Sequence, residues 1–93
     1  MTEGKVLSIF RIAADLTIAD LAAKTGISAP FISRVELNQR NFSKQSLKKI
    51  FDLYNISIDD FNRLKSKAVR LNWSYQKTLR KALELWCANH PDN

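Results

Sequence analysis

Residues 17–37 read TIADLAAKTGISAPFISRVEL. Two short helices and one tight turn account for every position in it. Thr17 has the side chain of an N-cap, and Asp20 three residues later suits a first helical turn. The helix it opens is predicted over Ile18 to Thr25, with Ile18, Leu21 and Ala22 inward. Gly26 stands where a chain leaving a helix often needs a positive φ. Ser28 is a second N-cap, and Pro30 falls in the first turn of the next helix, where a missing N–H costs nothing. That helix is predicted over Ala29 to Leu37. Two helices joined by a tight glycine-containing turn form a helix-turn-helix unit.

The flanks keep the same period. A first helix is predicted over Lys5 to Ala14, with Val6, Ile9, Phe10 and Ala13 on one face. After the polar stretch Asn38-Gln39-Arg40-Asn41, Ser43 caps a fourth helix, Lys44 to Tyr54, striped by Leu47, Ile50, Phe51 and Tyr54. Ser57 or Asp59 opens a fifth, to Leu71, with Phe61, Leu64, Ala68 and Leu71 on one side. Ser74 opens a sixth, Tyr75 to Ala88, with Tyr75, Leu79, Ala82, Leu83 and Trp86 as its stripe. No segment alternates like a strand for more than a few residues. The expected fold is all-α.

The chain has 93 residues, enough for one domain or one small domain with an appendage. Its net charge is +6. A basic balance favours polyanionic partners. The charge is unevenly spread. Residues 1–60 hold eight Lys/Arg and seven Asp/Glu, while residues 61–93 hold seven and two. Residues 34–49 alone place Arg34, Arg40, Lys44, Lys48 and Lys49 against Glu36. The single cysteine, Cys87, forms no internal disulfide, which fits a reducing compartment. No apolar run approaches a membrane span, and the opening residues lack a signal-peptide apolar block, so the expected location is the cytoplasm.

With these residues in place, the chain resembles the Cro and phage cI-like repressors, the XRE family. The likeness is carried by Leu16 to Ala22, Gly26-Ile27-Ser28, Phe31 to Glu36, the loop Asn38 to Asn41, Leu47 to Phe51, and Ile56 to Phe61. It implies a lambda-repressor-like helix-turn-helix fold of five helices, its DNA-binding domain covering residues 1–61; residues 62–93 fall outside the likeness and read as a basic helical extension with an added C-terminal helix. It implies double-stranded DNA as partner and transcriptional regulation; with no activation or ligand domain visible, repression is the expected sense. Ala29, Pro30, Phe31, Ser33 and Arg34 take the recognition-helix positions that face DNA. Asn38, Gln39, Arg40 and Asn41 match the phosphate-holding loop. Lys44 adds to it, and Thr17 and Ser28 bring helix N-termini. Arg11 and Glu36 match a structural ion pair. The family usually has Gln where Ile18 stands, Gly at Asn38 and Pro at Phe42.

Plainer readings stand beside these. Phe31 is either a contact to a thymine methyl or core, and Arg34 either a base ligand or a solvated charge. Lys48 and Lys49 read as solvent-facing. Cys87 reads as a half-buried small hydrophobe, and His90 as a lone histidine in a fraying tail, so no metal is expected. Asp59-Asp60 complements a helix dipole. No cofactor-binding motif or catalytic set is found, and an enzyme is not expected. In the extension, helix 6 either packs on the monomer core or forms a homodimer seam together with helix 5. The alternative function is an antitoxin-like or adaptor module whose basic C-terminal helices bind an acidic protein.

Overall fold

In the computed structural model, which describes residues 1–91, six helices run in order: α1 Glu3–Ala13, α2 Ile18–Thr25, α3 Ala29–Glu36, α4 Lys44–Tyr54, α5 Ile58–Arg70 and α6 Tyr75–Asn89. No strand occurs among the described residues. Asp92 and Asn93, the end of the extension, lie outside them. Each helix starts on a hydroxyl side chain that accepts a backbone N–H: Thr2, Thr17, Ser28, Ser43, Ser57 and Ser74. Such caps satisfy one of the four free donors at a helix start. Ser57, not Asp59, therefore opens α5. Helix α1 begins two residues earlier than its apolar pattern predicts, because Thr2 accepts from the Lys5 N–H at 3.2 Å.

The helix ends explain how a chain with two glycines makes five turns. Each of the five junctions holds one residue in left-handed geometry: Asp15, Gly26, Asn38, Asn55 and Asn72. After Asp15, Asn38, Asn55 and Asn72 the next N–H bonds back across the turn, Leu16 to Arg11, Gln39 to Arg34, Ile56 to Phe51 and Trp73 to Ala68. These are Schellman closures, and Asn and Asp are the residues that visit this region most readily after Gly.

The core gathers around α1. Its Val6, Ile9 and Phe10 are fully buried, and Phe10 meets Phe51 and Phe61 edge-on with ring centroids 5.5 and 5.3 Å apart. Leu21, Ile32, Val35, Ile50, Tyr54 and Ile56 complete it. Gly4 lets α1 approach α3: a Cβ there would stand 2.5 Å from the Val35 carbonyl oxygen and 2.7 Å from that of Glu36.

Helix α6 packs against α1 and α5. Its buried line is Thr78 and Ala82, with Leu79, Leu85 and Trp86 half-buried. Thr78 can be buried because its hydroxyl donates to the Ser74 carbonyl at 2.8 Å. This shifts the predicted stripe: Tyr75, Leu83 and, on α5, Leu71 are exposed. The structure also corrects the readings of Cys87 and His90. Cys87 is exposed, because it lies on the far side of α6 from Thr78 and Ala82. His90 is ordered by a stack on Trp86, with centroids 4.0 Å apart.

Candidate nucleic-acid interface

Each helix of the α2–turn–α3 unit is held at its start by a cap. Thr17 and Asp20 form a reciprocal box, each side chain accepting the other's backbone N–H at 3.0 Å. The Asp20 carboxylate is held below its ordinary pKa, first by the Thr17 backbone N–H and then by its hydroxyl. Gly26 closes α2 at φ 75°. Ser28 then accepts the Phe31 N–H, which points the first turn of α3 outward with Pro30 inside it.

Helix α3 buries Ile32 and Val35. The opposite side carries Pro30 and Arg34, both exposed, with Ser33 and Ala29 half-buried beside them. Leu37, 63 % exposed, prolongs that side beyond the helix end. Sequence reasoning missed it as a surface residue, since its apolar character signals burial.

Phe31 is half-buried and leans on Phe42, with ring centroids 5.9 Å apart. The Arg40 guanidinium sits 6.0 Å from the Phe31 ring centroid. Phe31 thus joins α3 to the following loop, a packing role that accounts for an aromatic at Phe42. Gln39, Arg40 and Asn41 are exposed along that loop, and Lys44 is exposed in the first turn of α4. Ile18, where the family usually has Gln, packs against the core.

Asn38 is placed differently from its loop neighbours. Its side chain accepts the Gly4 N–H at 2.9 Å and donates to the Thr2 hydroxyl at 2.9 Å. Those bonds latch the end of α3 to the start of α1 and use the amide oxygen and one of its two N–H donors.

A second brace lies at the same junction. Arg11 donates Nε to Glu36 Oε2 at 2.8 Å and Nη2 to Oε1 at 2.9 Å, while Nη1 donates to the Leu16 carbonyl at 2.8 Å. The side chains are only 13 % and 11 % exposed. One guanidinium therefore ties α1, the loop before α2 and the end of α3 together. The bond to Glu36 raises the Arg11 pKa further above its already high value. The pair has no approach to solvent-side chemistry and acts as scaffold.

Among the described residues no group of His, Cys, Asp and Glu is arranged to hold a metal ion, and no helix is long and apolar enough to cross a membrane. A family model described as helix-turn-helix matches residues 7–61, more than half of the chain. Nothing among curated proteins or solved structures matches it.

Proposed function

The chain belongs to the helix-turn-helix family of Cro and cI-like DNA-binding regulators, and from that premise we propose that it is a cytoplasmic repressor that binds operator DNA as a homodimer, with α3 in the major groove. The observation that carries this reading is the outward side of α3. Ser33 and Arg34 supply a hydroxyl and a guanidinium, Pro30 and Ala29 keep the first turn slim enough to enter a groove, and Ile32 and Val35 anchor the other side. Base edges are read by such donors near the start of a recognition helix. Arg40 and Lys44 flank it as phosphate ligands, with Gln39, Asn41 and the capped N-termini at Thr17 and Ser28. Phe31 contributes only its exposed edge, and Leu37 is available for a thymine methyl. Asn38 serves the interface indirectly, by fixing the loop.

Selection from a randomised duplex library, at low and physiological salt, tests the reading. An enriched inverted repeat is expected, and Arg34→Ala should relax preference at one position of each half-site, at a cost of about 1–3 kcal/mol. Absence of retention at both salts would sink it.

A second reading has one observation in its favour. Arg63, Lys67, Lys77 and Lys81 surround Trp73 in a groove of about 390 Å³ between α5 and α6, with Asp60, paired to Arg63, as its one carboxylate. That groove suits an acidic protein, as an antitoxin-like or adaptor role requires. Lys67→Glu with Lys77→Glu should then abolish capture of the acidic partner and spare DNA binding.

A further inference from the structure

Beside its buried residues α6 carries a second apolar line, which runs from the edge of the core out to the surface. Leu79, Leu83 and Cys87 follow one another at four-residue spacing, interleaved with Gln76, Arg80 and Glu84, and together they line a shallow groove of about 440 Å³. Leu83 is 41 % exposed there. Leu79, at one edge of this line, is half-buried against the core, whereas Leu83 and Cys87 are exposed.

We propose that this line is the seam of the homodimer, formed by α6 packing antiparallel on α6 of a second copy. The proposal takes the dimer from the functional reading above and assigns its surface and its direction. Charge identifies the occupant. Arg80 and Glu84 lie one turn apart on the same side of the helix. About a two-fold axis crossing α6 near position 82, Arg80 of each copy faces Glu84 of the other, each roughly 3 Å along the helix from the axis. Parallel packing would set Arg80 on Arg80 and Glu84 on Glu84. Within one chain Glu84 has only Lys81, at 3.7 Å, and Arg80 has no carboxylate partner among the described residues. Arg80 is thus free to pair across the seam, and Glu84 can exchange its long contact with Lys81 for Arg80 of the other copy, with Leu79 and Leu83 of the two copies meshed between them.

Sedimentation of the full chain without DNA tests this, over concentrations up to the solubility limit. The wild type should reach a dimer. Leu83→Glu should weaken association by about tenfold or more, since it buries a charge at the centre of the seam. R80E and E84R should each weaken it by roughly two- to fivefold, as exposed pairs do, and the double exchange R80E/E84R should restore it. Should Leu83→Glu fail to melt cooperatively, the charge exchanges still decide. Cys87 reports direction: five residues from the axis, the two sulfurs stand about 15 Å apart along the helices, beyond disulfide reach. Oxidation should leave no crosslinked dimer. A monomer at every concentration, a dimer indifferent to Leu83→Glu, a double exchange that fails to rescue, or rapid complete crosslinking through Cys87 would each overturn the seam. A dimer with these properties that ignores DNA would overturn the functional reading alone.

Discussion

Two asparagine-type turns with the same backbone should respond oppositely to glycine. Asp15 and Asn38 both adopt left-handed geometry, with φ 59° and 63°. Asp15 is exposed, and glycine there relieves the cost of a Cβ in that region, so Asp15→Gly should be neutral or stabilising by up to ~1 kcal/mol. Asn38→Gly keeps the turn and loses two side-chain bonds, to Gly4 and Thr2, so it should cost about 1 kcal/mol or more in urea unfolding. If both variants gained stability, the latch would be idle. The Arg11–Glu36 brace is stronger. Removing either partner strands a largely buried charge, and Glu36→Ala or Arg11→Ala should lose about 2–4 kcal/mol. Arg11→Lys should recover little, because an ammonium cannot reproduce the fork. Near-additivity in the double mutant would show that the pair is not coupled. Asp20 sets a pH dependence. Its folded pKa lies below the unfolded value near ~3.9, so the capping box contributes fully above that value and is lost as pH falls through the folded pKa. Asp20→Asn should flatten the acid limb of the stability curve, and an unchanged limb would remove the box from the account.

At the scale of the element, what was legible in the sequence was local. Thr17, Ser28, Ser43 and Ser74 announce helix starts because a cap acts over three residues, and the helix-turn-helix pattern is written in one continuous stretch. The family match covers that same stretch. What was hidden depends on contacts far apart in the chain. The Thr2–Asn38 latch spans 36 positions, and nothing in either residue names the other. Phe31 reads equally as surface or core until Phe42 is placed beside it. Helix α6 hid its buried side because leucines lie around much of its circumference, and the line that packs is Thr78–Ala82, the least hydrophobic of the choices. Small side chains let α6 approach α1 closely, where Ser8 is also buried. The extension is thus structurally engaged with the helix that braces α3. A chain ending at residue 73 loses Thr78, Ala82 and Trp86 from their places against the core. Its stability should fall by at least ~3 kcal/mol, seen as a lower melting temperature or a molten spectrum. Unchanged melting of the shortened chain would make residues 74–93 an independent appendage.

For the molecule as a whole, the question is which of its charges meets DNA. The excess of cations lies in the last third of the chain, yet Arg34, Arg40 and Lys44 lie on and just after α3. Counterion release separates the two groups, because it counts contacts and ignores distant charge. Each cation that neutralises a phosphate adds about 0.9 to the slope of log affinity against log salt. A cation elsewhere raises the potential, and hence the association rate, at low salt and leaves the slope almost unchanged. Arg40→Gln and Lys44→Gln should therefore each lower the slope by about 0.9 per half-site and weaken all sequences alike. Lys67→Gln with Lys77→Gln should slow association at low salt and keep the slope. If the C-terminal pair carried the slope instead, the phosphate path would run over the α5–α6 groove, and the surface assigned above to an acidic protein would be the DNA surface.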